Sequence, residues 1–467
     1  MPFRLFIVYD EKWGRRMAKD MTQGNLARTL ISFSVPLIFS GLLQQLYNWA
    51  DAFIVGNVEG GLALGAIGAT GTISNFCIMA ITGFTLGLSI LSAQLYGQRE
   101  MEKVRNVLSS FTFVVGGVFL LLGGLGILFT GEILRLLHTP EDIFEISRGY
   151  LRIILCGVPC LAVYNVYSAV LRGIGDSKAP FLAVIVSAVT NVTLDIIFVA
   201  LLRYGAKGAA VATVIAQVLM TGFIVIYTVR RYPELRYRPN LYMIDKEILR
   251  RGAALGTPTA IQSSISSLGS MALQNFMNGF GTPTVTAITT AYRVDTVMML
   301  PIINLGSGIA TVVAQNMGVG NYRRARRTWY VGAMMIALIS LLLSVLMMTA
   351  GGSLIAMFGV SQEEVEIGAR FFRGIACFYL FFGFATSMRG FLEGMGDVLY
   401  TSITGMLALG VRIILSYGLV DQFGRMIIAY AEAISWMTMI LLYFVRLIWK
   451  KQSFEKGGLK KQKNVRI

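Results

Sequence analysis

The stretch LRGIGD at 171–176 returns as LEGMGD at 392–397, and that return decides the fold. The offset is 392 − 171 = 221 residues, and it also carries Ala93-Gln94 onto Ala314-Gln315 and Gly97 onto Gly318. Pro36 answers Pro258 one residue out of step. The chain therefore holds two copies of one unit, joined by a basic segment at 230–252.

Working outward from these marks, the units consist of long apolar runs. Of 467 residues, 55% are hydrophobic and 14% charged, and the mean hydropathy is +0.65. Soluble domains carry roughly a quarter of charged residues. Runs bounded by charge or by Gly/Pro clusters predict membrane helices at 30–56, 68–95, 105–130, 147–171, 179–202, 208–229, 253–278, 283–315, 327–350, 367–391, 398–420 and 426–449. The expected fold is an all-α membrane protein of twelve transmembrane helices in two six-helix lobes. Six is even, so both halves enter the bilayer from one side and are related by an axis along its normal, as in transporters built from parallel repeats. The predicted divisions are an extension at 1–29, lobes at 30–229 and 253–449, the linker, and a basic tail at 450–467.

The net charge of +16 is laid out for orientation, not for nucleic acid. Arg4, Lys12, Arg15, Arg16, Lys19 and Arg28 precede the first span. Arg99, Lys103 and Arg105 follow the second, Arg172 and Lys178 the fourth, and Arg323, Arg324, Arg326 and Arg327 the eighth. Between the halves lie Arg230, Arg231, Arg236, Arg238, Lys246, Arg250 and Arg251, and the tail adds Lys450, Lys451, Lys456, Lys460, Lys461 and Lys463. The opposite loops carry Glu59, Glu132, Glu141, Asp142 and Glu145. An excess of Lys and Arg marks cytoplasmic loops, which places both termini in the cytoplasm of a bacterial plasma-membrane protein. The start has no cleavable signal pattern.

Enzymatic chemistry has little footing. The one histidine, His138, sits in an outer loop, and HExxH, GxSxG and phosphate-loop patterns are absent. Cys77, Cys156, Cys160 and Cys377 lie in apolar segments without metal or redox spacing. No cofactor is expected, and energy should come from an ion gradient. Gly-x-Gly-Asp also occurs in intramembrane aspartyl proteases, a remote alternative. Here Asp176 precedes Ser-Lys-Ala-Pro, so glycine for a turn and Asp176 and Asp397 as N-caps explain both copies.

QQLYNWADAFIVG (44–56), LRGIGDSKAP (171–180), TNVTLDIIFV (190–199) and GAAVATVIAQ (208–217) together resemble the multidrug and toxic compound extrusion (MATE) family. The similarity runs from Thr22 to Lys450, in both halves. It implies a secondary antiporter that exports organic cations and drugs in exchange for Na+ or H+; a monomer is expected. A lipid-linked saccharide precursor flippase of the same superfamily is the alternative. That substrate is anionic and calls for a basic cavity.

Intramembrane carboxylates are costly and point to function. Asp51 lies in the first span and Asp195 in the fifth, with Asn191 one turn before Asp195 on the same face and Thr213 early in the sixth. Two carboxylates, an amide and a hydroxyl suit a hard cation such as Na+. In the family, the positions matching Asp51, Asn191, Asp195 and Thr213 bind the coupling ion or take its proton. Gln44 and Tyr47 flank Asp51 and are candidates for the substrate cavity.

The second half differs. At the 221 offset, Asn191 becomes Arg412 and Asp195 becomes Ser416. Arg412 is expected to form a structural ion pair with Glu432, at similar depth on the neighbouring antiparallel helix. The seventh span lacks the acid that one branch of the family carries, which favours the DNA-damage-inducible-protein-like branch. Met271, Phe276, Tyr292 and Met298, beside Met277 and Met299, can supply a soft cavity wall, or simple packing. Asp295, two residues after Arg293, is a further cavity candidate, with local pairing an open alternative.

Overall fold

The computed structural model describes residues 20–236 and 245–464, with side chains through Lys450. The extension through Lys19, the linker around Arg238, and the side chains of Lys451, Lys456, Lys460, Lys461 and Lys463 lie outside the described residues. Helices dominate, and no strand occurs among the described residues. The first six spans are Leu26–Glu59, Gly61–Gly97, Met101–Leu128, Glu141–Gly173, Lys178–Leu201 and Gly205–Arg231. The other six are Lys246–Asn278, Thr282–Gly318, Tyr322–Ala356, the pair Gln362–Ala376 and Tyr379–Gly394, Val398–Gly418 and Ile427–Asn464.

Four features depart from the apolar pattern. The tenth span, expected unbroken at 367–391, bends by 53° at Cys377-Phe378. There Phe378 N–H donates to the Ile375 carbonyl at 2.8 Å, a tightened turn that no proline announces. The seventh span falls short of membrane hydropathy because Ser, Thr, Gly and Gln fill it. It packs instead between the second and eleventh spans. The fifth span turns π-helical at Ile196–Leu201, directly after Asp195. A short helix, Thr130–Leu136, also follows the third span where only a loop was expected.

The repeated motif is a helix stop. Gly175 and Gly396 sit at φ +91° and +87°, the left-handed region that glycine enters without strain. Asp176 N–H donates to the Leu171 carbonyl at 2.8 Å, and Asp397 N–H to the Leu392 carbonyl at 3.0 Å. Both are the six-to-one bond of a Schellman ending. The two aspartates then diverge. The Asp176 carboxylate accepts from Lys178 N–H, Ala179 N–H and the Tyr232 hydroxyl. Asp397, expected as an N-cap, makes no capping bond. Arg446 at 2.7 Å and Lys450 at 3.1 Å draw its carboxylate away.

The lobes meet at the end carrying the basic loops. The second span is buried almost continuously from Ile81 to Gly97, while its opposite half has only Ala63, Ala66 and Thr70 buried. Here the second and eighth spans cross, and the repeat is reciprocal. Gln94 donates to the Gly394 carbonyl of the other lobe at 3.4 Å, and Gln315 donates to the Gly173 carbonyl at 2.8 Å. A Cβ on Gly97 would sit 2.2 Å from the Gln315 carbonyl oxygen, and one on Gly318 would sit 2.2 Å from that of Gln94. Only glycine permits this approach. Along the second and seventh spans, Thr259 donates to the Gly83 carbonyl at 2.6 Å.

A short strap before the first span also bridges the lobes. Asp20 pairs with Arg99 at 2.6 Å, Met21 N–H donates to Gln315 Oε1 at 3.1 Å, and Arg324 donates to the Gln23 carbonyl at 2.7 Å. Met21 is fully buried.

Candidate functional site

Inside the first lobe, the first, fifth and sixth spans bring Asp51, Asn191, Asp195 and Thr213 into one cluster near the less basic end. By helix rise, Asp51 lies about 12 Å before the end of its span and Thr213 about 12 Å after the start of its own. Asn191 and Asp195 are 2% and 0% exposed, four residues apart on one face. The carboxyl groups of Asp51 and Asp195 lie within hydrogen-bonding reach of each other. Asn191 Nδ2 donates to Thr213 Oγ1 at 3.4 Å.

Oxygen dominates the cluster, and the donors run out. Asp51 Oδ1, Asn191 Oδ1 and both Asp195 carboxyl oxygens are buried without a hydrogen-bond donor. Orphaned buried acceptors each cost about 1–3 kcal/mol, more when charged. No Lys or Arg pairs with either carboxylate among the described residues. Two neighbouring carboxyls repel each other when both are charged. The described residues contain no group of three or more His, Cys, Asp and Glu suited to a metal. The set is two carboxylates, an amide and a hydroxyl, which fits a hard monovalent cation better than a transition metal.

Tyr47 stands one turn from Asp51 and interacts with it electrostatically. Sequence reading missed Tyr150, a buried residue of the fourth span that lies within electrostatic range of both Asp51 and Asp195. The signal was faint, because ISRGYLRI reads as a span entering from the acidic loop and nothing in it marks depth. Gln44 is half-buried on the first span.

The second lobe places a different set at the corresponding depth. Arg412 pairs with Glu432 at 2.9 Å and donates to the Tyr292 hydroxyl at 2.8 Å, and that hydroxyl donates to Glu432 at 3.2 Å. Asp295 takes the Tyr379 hydroxyl, while its neighbour Arg293 is exposed. Tyr379, fully buried on the tenth span just past the bend, was not anticipated. Tyr292 thus serves the ion pair.

The aromatic and methionine wall is mostly packing. Phe276 is buried in the core of the second lobe, with its ring 4.8 Å from Tyr417 and 5.3 Å from Phe280. Phe276 is 8% exposed, so packing occupies most of its surface. Met298 packs on the same core, with Met277 and Met299 inside it, and Met271 is 45% exposed.

The MatE family profile matches residues 36–197 and 258–418, once in each half. The chain belongs to the MatE family of multidrug transporters, polytopic membrane proteins and not enzymes. It is 28% identical over 92% of its length to a protein of Bacillus subtilis (strain 168) named probable multidrug resistance protein YoeA, and covers 95% of that relative. It is 24% identical, again over 92% of its length, to the probable multidrug resistance protein NorM of Thermotoga maritima, 94% of which it covers. A solved structure described as the outward-facing conformation of a multidrug resistance MATE family transporter superposes with a TM-score of 0.88 at 21% identity. That match covers 95% of this chain and 100% of the other. The fold is therefore the twelve-helix, two-lobe transporter fold.

Proposed function

We propose that this protein is an antiporter of the DNA-damage-inducible-protein-like branch, exporting organic cations across the bacterial plasma membrane in exchange for Na+ or H+. The four donorless oxygens of Asp51, Asn191 and Asp195 carry this reading. Buried acceptors without donors are a standing demand for a cation or a proton, and no described Lys or Arg of the first lobe pairs with them.

In this proposal the basic end is cytoplasmic, so the crossing at Gly97 and Gly318 closes the cytoplasmic side and the coupling site lies toward the outside. The molecule works as a monomer, with lobes bounded at 30–229 and 253–449. Proton or Na+ uptake by the Asp51–Asp195 pair removes the repulsion between the carboxyls and lets the first and fifth spans tighten. The π-helical turns at 196–201 supply the slack, because a wide turn can be exchanged for a regular one without breaking the helix. Tightening weakens a cationic substrate held near Gln44, Tyr47, Met271 and Asp295, and releases it outward. The Arg412–Glu432 pair keeps the second lobe rigid against that change.

Efflux of a fluorescent cationic dye from proteoliposomes, with Na+ and H+ gradients imposed separately, tests the proposal. Dye movement driven by one gradient and abolished in Asp195→Asn supports it and names the ion. Folded protein that moves no dye under either gradient sinks it.

A further inference from the structure

The basic end carries a second feature that transport does not use. A groove of about 680 Å³ opens between the start of the first span and the start of the ninth. Arg323, Arg324 and Arg327 line it, and no acidic side chain does. Arg323 and Arg327 are exposed and make no ion pair among the described residues. Arg324 is held in place by the Gln23 and Met21 carbonyls, yet its Nε is buried without a partner. Asp20, the nearest carboxylate, is engaged by Arg99.

Two helix starts open into the same space. Asn25 and Asn321 cap them, accepting from Arg28 N–H and Arg324 N–H at 3.0 Å each. The amides of Leu26, Ala27 and Arg323, which also line the groove, have no intrahelical acceptor by position. Helix starts and guanidinium groups together favour an anion with several oxygens.

The groove does not end at the charges. Arg323, Arg327, Val331 and Met334 follow one another at three- and four-residue spacing, so they form one stripe on the ninth span. That stripe runs about 17 Å from arginine to an apolar face where Met334 is 62% exposed. A free phosphate would use only its first part. The ligand that matches both parts has an anionic phosphate at one end and a hydrocarbon chain at the other.

We propose that this groove is a binding site for the headgroup of an anionic phospholipid, whose acyl chain runs along Val331 and Met334. Because the strap of Asp20 to Asn25 shapes the groove wall and also bridges the lobes, bound lipid reinforces closure at the basic end. The site does not depend on which compound the protein exports.

Native mass spectrometry of detergent-purified protein, titrated with phosphatidylglycerol, phosphatidylcholine and inorganic phosphate in parallel, tests it. Wild type should retain phosphatidylglycerol over phosphatidylcholine. Arg323→Gln with Arg327→Gln should weaken phosphatidylglycerol about 30-fold, from about 1 kcal/mol per basic side chain near a lipid surface. This pair leaves Arg324 and the strap intact. The matched loss of charge elsewhere, Arg230→Gln with Lys246→Gln, should leave retention unchanged. Equal losses in both variants, or no preference for phosphatidylglycerol, overturn the site. Phosphate that competes as well as phosphatidylglycerol shows a free-anion site and overturns the lipid assignment.

Discussion

Replacing Gly97 and Gly318 with alanine should pry the lobes apart at the basic end. Each new Cβ would lie 2.2 Å from a backbone oxygen of the opposite helix, where ordinary contact begins at 3.4 Å. The overlap is 3.4 − 2.2 = 1.2 Å. A backbone carbonyl in a helix cannot swing aside as a flexible side chain can, so the helices themselves must separate. Overpacking of this kind costs about 1–3 kcal/mol. The clashes share one crossing, so their costs will not add fully. Taking about 2 kcal/mol for the pair, the closed form loses about 30-fold against any state in which the crossing is parted. The assay is the distance between spin labels at Gln98→Cys and Val319→Cys, exposed positions related by the repeat, with the native Cys77, Cys156, Cys160 and Cys377 replaced by alanine. The double variant should add a longer component to the distance distribution. Gly117→Ala and Gly124→Ala, where a Cβ meets nothing within 4 Å, should not. A folded double variant whose distribution matches its parent would refute the reasoning, since the crossing would then not hold the lobes closed.

Three further outcomes follow from the same geometry. Asp195→Asn or Asp51→Asn should hold or raise the melting temperature at low Na+ and neutral pH, because one carboxyl of the pair can no longer charge. Either should also remove any ion-dependent stabilisation, which for wild type would reach about 2.7 kcal/mol at a hundredfold excess of ion over Kd; thermal scans across Na+ and pH read both effects. Arg412→Met should cost about 3–5 kcal/mol by leaving Glu432 buried alone, and Arg412→Met with Glu432→Leu should recover much of it, measured as melting temperature in detergent. Asp397 is partly buried, which alone would raise its pKa, but its bonds to Arg446 and Lys450 prevail and hold it below the usual carboxylate value of 3.8. A depressed pKa contributes stability that is present above that value and lost as pH falls through the folded pKa. Asp397→Asn should therefore be less stable than wild type at neutral pH, with the gap closing below pH 3.8, seen in thermal unfolding at stepped pH.

Sequence alone determined the architecture because that information is local and periodic. Apolar runs of membrane length, the basic loops and the 221-residue repeat needed no contacts to be read. The helix stops were legible too, since glycine enters without strain the conformation that Gly175 and Gly396 adopt. Asp51 and Asp195 could be singled out because carboxylates in apolar helices are costly enough to stand out one by one, while Asn191 followed from its spacing to Asp195 and Thr213 from the family resemblance.

Tertiary structure decided whatever depends on which faces meet. That the carboxyl groups of Asp51 and Asp195 come together with oxygens lacking a donor is fixed by the rotation of their helices about their axes. Spacing within any one of them does not contain that information. The 53° bend at Cys377-Phe378 and the π turns after Asp195 have no proline or glycine at those positions to announce them. Phe276 is another case, since its neighbours Phe280 and Tyr417 come from packing that its spacing does not reveal. The reciprocal crossing of Gln94 and Gln315 was visible only as a repeated dipeptide until the lobes were seen together. Its role follows from contacts between residues 300 and 142 positions apart, and no pattern along the chain records such a distance.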